Sequence, residues 1–243
     1  MNIFQIIGKS IELTLENKWN LLINNLFFLM SMFISFGIFC SFFLLGLFGP
    51  FLFITDKTIY LIISLGLILI GLFVSLSLFF ASRVVYFYFI TQTLSLRKRF
   101  NLIEELEILD KYFIKYSLLG WLENIVPLAT AFFVFIFFIF IKEELLKIVF
   151  IIFSLLATFA LCPYTFFILP NAIPSNKNLI AVISESIKIT NKCYLQSLIV
   201  SIIIFILKLA GVVLLVAYPF YLTLFFYPLF NYTQILLYKA AAK

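Results

Sequence analysis

Leu21 to Phe48 reads LLINNLFFLMSMFISFGIFCSFFLLGLF, a run without Asp, Glu, Lys or Arg. At 1.5 Å per residue its 28 residues make a helix about 42 Å long, which exceeds the roughly 30 Å hydrocarbon core of a bilayer. A helix apolar on all sides is stable only inside a very large core or in lipid. Gly49 and Pro50 end the run.

The rest of the chain decides between those two environments. Of its 243 residues 65% are hydrophobic and 12% charged, with a mean hydropathy of +1.20, against roughly 45 to 50% apolar and about 25% charged in a soluble domain. So few charges cannot cover the surface that a chain of this length presents to water. The 34 Phe and the excess of 14 Lys over 3 Arg follow the bias of an AT-rich genome, so the phenylalanines are lipid-facing bulk and not a motif. Although the net charge is +6, the basic residues sit between apolar runs without forming a stripe, which excludes nucleic acid as a partner.

Working outward from the first span, the pattern predicts an all-α polytopic membrane protein, one integral domain over residues 1–243. About six transmembrane helices are expected, at 21–48, 59–81, 116–141, 148–169, 195–217 and 220–238. The first lacks a cleavage signal and is expected to stay in the chain. Before the first, third and fifth spans lie polar segments with apolar residues at helical spacing. In the first of them Phe4, Ile7, Ile11 and Leu15 recur opposite Gln5, Lys9, Glu12 and Glu16; in the second Leu102, Leu106, Leu109 and Phe113 recur; the third runs from Lys177 to Tyr194. These read as three amphipathic helices lying in the interface, each leading into a membrane hairpin.

Loop charges set the orientation. The N-terminal stretch, Arg97 to Lys115, Lys177 to Lys192 and the tail together hold twelve Lys and Arg, against Lys57, Lys142 and Lys147 on the other side. Both termini are therefore expected in the cytoplasm, most simply at a bacterial inner membrane. Lys9, Arg97, Lys98, Arg99, Lys188 and Lys192 are the expected lipid contacts, favouring anionic lipid on the cytoplasmic side.

Placing each residue beside the one 176 positions later brings out an internal repeat. Ile7, Ser10, Ile11 and Thr14 then coincide with Ile183, Ser186, Ile187 and Thr190. Three units follow, each an amphipathic helix and a hairpin, with the middle one most diverged.

Site chemistry is sparse. The chain has no histidine, which removes the commonest general base and metal ligand together. Asp56 and Asp110 are expected on opposite sides of the membrane, and Cys40, Cys162 and Cys193 have no metal or disulfide spacing. No catalytic, cofactor-binding or metal residues are assigned, and no enzyme activity is expected.

Charges within the bilayer remain. Counted from the same face, Lys208 is about 20 Å into the fifth span and Glu123 about 10 Å into the third. They are the candidate intramembrane polar pair, either a bolt between helices or part of a polar path. Arg83 is expected at the headgroups by snorkelling, Asn24 and Asn25 at the interface or, as the alternative, in hydrogen bonds across helices, and Tyr218, Tyr221, Tyr227, Tyr232, Tyr238, Trp19 and Trp121 mostly in aromatic belts. Pro127, Pro163 and Pro228 are expected kinks.

Residues Ala160 to Lys208, with Pro163, Pro170, Ser186, Ile187, Thr190 and Lys208, resemble the YciC-type uncharacterised bacterial inner-membrane proteins. They are also similar to the membrane domain that precedes some glycerophosphodiester phosphodiesterases. The tail at Tyr238 and Lys239 fits that pattern, whereas Lys147 to Ile152 lacks its usual Pro-Gly turn. The resemblance implies the same helical layout and carries no catalytic residues.

Two function classes fit these readings: a scaffold or accessory factor acting through lipid and protein contacts in the cell envelope, and a transporter or permease subunit moving a small solute, ion or lipid. Membrane lipids are the expected partners, together with a membrane protein or a second copy of the chain.

Overall fold

The structure, a computed structural model, describes residues 3–50, 56–96, 102–173, 178–212 and 227–241. Their regular structure is α-helical: α1 Ile3–Glu16, α2 Lys18–Phe48, α3 Lys57–Leu96, α4 Leu102–Phe140, α5 Glu144–Phe166, α6 Ile168–Ala172, α7 Leu179–Val212 and α8 Tyr227–Ala241.

Five segments are long and apolar enough to cross a membrane: Leu21–Phe48, Lys57–Thr93, Ile103–Phe140, Glu144–Ala172 and Leu179–Ile206. Their mean hydropathies run from 1.6 to 2.7, yet only 6 to 22% of each most apolar stretch is buried within the protein. Hydrocarbon must solvate the remainder. The expected sixth span, 220–238, is only partly described, because 213–226 lie outside the described residues. Its described portion, α8, packs against α1, α3, α6 and α7 and is buried from Tyr227 to Leu237 except at Phe230 and Leu236.

The polar segments join their spans through sharp backbone breaks. Asn17 separates α1 from α2 with φ −97° and ψ 14°. Tyr112 interrupts α4 at φ −117° and ψ 16°, and Cys193 interrupts α7 at φ −133° and ψ 32°. Seven residues before these breaks stand Ser10, Glu105 and Ser186, each 0% exposed. One position later Ile11, Leu106 and Ile187 are 42%, 53% and 40% exposed. Seven residues beyond the breaks, Asn24, Leu119 and Val200 are buried again. All three segments thus approach their span with the same face turned inward.

That face differs from the one the apolar spacing picks out. In α1 the inward residues are Ile6, Ser10 and the partly buried Leu13, while Phe4, Ile11 and Leu15 stay exposed. The spacing identified an exposed stripe; packing on α8 uses the neighbouring one.

Hydrogen bonds hold the seats. On α1, Ser10 Oγ accepts from Thr233 Oγ1 of α8 at 3.0 Å. On α7, Ser186 Oγ donates to Tyr164 O at 2.9 Å, Thr190 Oγ1 to Pro163 O at 3.0 Å and Tyr194 Oη to Ala160 O at 3.0 Å. The carbonyls of Pro163 and Tyr164 lie in the last turn of α5, where helical donors run out, and that of Ala160 lies one turn earlier. Ser186, Thr190 and Tyr194, four residues apart on one face, satisfy them in sequence.

Close helix contacts depend on glycines, among them Gly46, where a Cβ would meet Ser64 O at 2.9 Å across the α2–α3 seam. A Cβ at Gly71 would overlap the Phe42 side chain across the α2–α3 seam, and one at Gly120 would overlap Phe80 between α3 and α4. The packed core lies where α2 and α4 begin and α3 and α5 end, around Phe28, Tyr86, Phe87, Leu119 and Leu169.

Candidate functional site

Arg83 of α3 and Glu123 of α4 meet inside this core. Nη2 lies 3.0 Å from Glu123 Oε1, and the residues are 4% and 8% exposed. α8 completes the enclosure: Nη1 donates to Asn231 Oδ1 at 3.2 Å, while Cζ lies 4.9 Å from the ring centres of Tyr227 and Phe230. A guanidinium suits such a site because it is planar, weakly hydrated and attracted to aromatic faces. Gln234 Nε2 adds a second bond to Glu123 Oε1 at 3.3 Å and also donates to Phe166 O. One carboxylate oxygen therefore ties α4 to α3 and α8, and Gln234 carries the link on to α5.

The other oxygen is left over. Glu123 Oε2 is buried without a hydrogen-bond partner, as are Asn231 Nδ2 and Gln234 Oε1. Beside the pair opens a cavity of about 160 Å³. Arg83 and Glu123 line it together with Asn124, Thr158, Thr165 and Ser201, and Phe79, Leu155, Phe159, Ile204 and Phe205 supply apolar wall. Pro127 and Leu155 on its rim are exposed on the outer surface.

A second buried polar cluster joins α2, α3 and the start of α4. Tyr86 Oη donates to Asn25 Oδ1 at 2.5 Å. With its amide turned to match donor with acceptor, Asn24 gives hydrogen bonds of 3.1 and 3.3 Å to the Glu105 carboxylate. Both asparagines are buried and hydrogen-bond across helices, the alternative placement of the two the sequence offered.

Other expectations shift as well. Arg83 is sealed in protein instead of snorkelling outward, because α3 continues past it to Leu96 and never brings it to a helix end. Tyr227 and Tyr232 belong to the core and not to a belt, and Trp121 lies between Phe73 and Phe80 with its Nε1 donating to Ser77 Oγ at 3.0 Å. Lys9, Lys188 and Lys192 are exposed on the segments leading to the breaks. Arg97, Lys98 and Arg99 lie outside the described residues, as does the side chain of Lys208, although its backbone belongs to α7. The structure thus pairs Glu123 with Arg83, a partner that sequence reasoning passed over.

The register that finds Arg83 is supplied by the structure. Phe80 and Gly120, which touch, are equally far from position 100 in an antiparallel pair. That register brings Arg83 and Glu123 within about two helical turns of each other, a gap two long side chains can close. Among the described residues no group of three or more His, Cys, Asp or Glu could hold a metal. Comparison with known protein families, curated proteins and solved structures finds no match to this chain.

Proposed function

We propose that this chain is a non-enzymatic polytopic protein of the bacterial inner membrane, with both termini cytoplasmic. It acts as a scaffold or accessory factor through lipid and protein contacts. Its three amphipathic segments press on the anionic cytoplasmic leaflet, and the chain is built from three repeated units related to the YciC-type membrane proteins.

The observation that carries this reading is the shared register at Asn17, Tyr112 and Cys193. In each segment the residue seven before the break is sealed, and an aliphatic residue one position later is exposed. Ile11, Leu106 and Ile187 can therefore enter lipid while their neighbours grip the bundle. Exposed Lys9, Lys188 and Lys192 accompany them, in keeping with an anionic surface. The pair at Arg83 and Glu123 fits a structural bolt, since both groups are enclosed and bonded to elements on three sides.

Spin labels at Ile11, Leu106 and Ile187 in anionic vesicles test the reading. Protection of all three from water-soluble quenchers, together with no solute flux through the reconstituted protein, is the expected result. Water exposure at all three positions would remove the scaffold reading.

The cavity beside Glu123 favours the second reading, a transporter or permease subunit. Ion or solute flux in proteoliposomes that is lost in Glu123→Gln would establish it instead.

A further inference from the structure

At the Tyr112 break, where the second amphipathic segment turns into its span, residues of α3, α4 and the end of α6 enclose a cavity of about 150 Å³. Of the side chains lining it only Lys115, Tyr88, Tyr112 and Tyr116 carry polar atoms, and among the described residues no carboxylate lines it. Lys115 is exposed and forms no ion pair among the described residues. The rings of Tyr112 and Tyr116 stack at 5.5 Å, and Lys111 Nζ lies 5.3 Å from the centre of the Tyr112 ring. An open groove adjoins the cavity, sharing Tyr112 and Lys115 with it and adding Asp110, Lys111 and the apolar Ile114 and Leu118. We propose that cavity and groove form a discrete site for an anionic phospholipid, with its phosphodiester at Lys115 and the phenols and an acyl chain along Ile114 and Leu118.

The charges select the head. Lys111 and Lys115 against Asp110 leave one positive charge along cavity and groove, which a phosphodiester monoanion balances. An ammonium and phenol hydroxyls donate hydrogen bonds, and phosphate oxygens accept them. A quaternary ammonium is also attracted by aromatic rings, but here it would meet two lysines, one of which already stands over Tyr112.

The aliphatic residues select a lipid over free phosphate. Ile114 and Leu118, one helical turn apart beside Lys115, are 76% and 47% exposed. Inorganic phosphate leaves that surface bare, whereas an acyl chain covers it. A cavity of about 150 Å³ holds one group the size of benzene, which suffices for the phosphate and leaves the chain to the groove. Head and chain then part at the break, where a bilayer changes from headgroups to hydrocarbon.

This site deepens the proposed function and rests on it for placing the α4 break at the anionic leaflet. Spin labels read the depth of the segments and photolabelling reads occupancy. Protected spin labels without a labelled site would fail the site alone, and a labelled site with water-exposed spin labels would fail the scaffold reading alone. The experiment uses the full chain in phosphatidylcholine nanodiscs doped with phosphatidylglycerol carrying a diazirine on one acyl chain, beside phosphatidylcholine carrying the same chain. Mass spectrometry should place the phosphatidylglycerol adducts on residues 113–118 and around Leu179, which also lines the groove. Plain phosphatidylglycerol should compete, and the phosphatidylcholine probe should show no such preference.

Losing a charged hydrogen bond predicts about ten- to a hundredfold weaker labelling in Lys115→Gln, and losing a neutral one about two- to tenfold in Tyr112→Phe, which keeps the ring. Both positions are exposed, so the thermal melt should be retained. Lys188→Gln removes an exposed lysine of another segment and should leave the labelling unchanged. Excess inorganic phosphate, against chloride at equal ionic strength, should not displace the lipid. Adducts elsewhere, equal labelling by the two heads, an unchanged result in Lys115→Gln, an equal loss in Lys188→Gln or displacement by inorganic phosphate overturns the proposal.

Discussion

The two ends of the helical bundle are built on opposite rules. Where α2 and α4 begin and α3 and α5 end, side chains such as Phe28, Tyr86, Phe87 and Leu169 are fully enclosed, and they surround Asn24, Arg83, Glu105, Glu123 and Gln234. At the far ends of the hairpins, Phe48, Leu61, Phe135, Phe140 and Leu145 are 63%, 64%, 65%, 76% and 74% exposed. Lipid replaces protein as the neighbour there. Since hydrocarbon tails solvate Leu and Phe as well as a core does, apolar character alone gives those tips no reason to pack. Polar groups have such a reason, because in a membrane an unpaired one has no water to turn to. The difference teaches that the polar groups, few as they are, mark where this protein chooses its own contacts.

The largest test of this contrast is at the enclosed end. Arg83→Leu strands the Glu123 carboxylate and should cost about 3–5 kcal/mol, read as a lowered melting transition in detergent. Arg83→Met combined with Glu123→Met should recover most of that loss. If the double variant is as unstable as the single one, the pair is not acting as a coupled unit.

At the exposed end the penalty has a different origin. Leu69→Asp, at a position 54% exposed on α3, should leave protein packing untouched and instead raise the insertion free energy by about 2.5–3.5 kcal/mol. A membrane-insertion assay measures it. An unaffected insertion efficiency would mean that this face does not meet hydrocarbon.

Smaller effects sharpen the boundary between the two. Thr190→Val removes the hydroxyl that caps Pro163 O and should cost about 1 kcal/mol in the same melting experiment. Phe135→Ala, on the exposed end, should shift stability by less than about 0.5 kcal/mol despite removing a whole ring. Were Phe135→Ala to cost more than Thr190→Val, the division into packed and lipid-solvated ends would be wrong.

How much of this was legible depends on whether the signal is local. The onset of the spans was close to hand: expected starts at Leu21, Tyr116 and Leu195 fall within four residues of the breaks at Asn17, Tyr112 and Cys193. A change from mixed to unbroken apolar character is written along the chain, so periodicity finds it. The inward face of α1 was not legible, because Ile6 and Ser10 are no more apolar as a stripe than Phe4 and Ile11. Glu105 was hidden for the same reason: a glutamate among Glu104 and Glu107 looks like part of a wet face, yet it is 0% exposed beneath Asn24.

By itself the sequence determined the solvent. Hydrophobic transfer is nearly additive over residues, so long apolar stretches commit the chain to hydrocarbon whatever their arrangement. Only the tertiary structure decided which polar groups meet. Arg83 and Glu123, 40 positions apart, are joined by the rotation and register of two helices and closed in by a third. Those are properties of packing between elements, and no single stretch of the chain contains them.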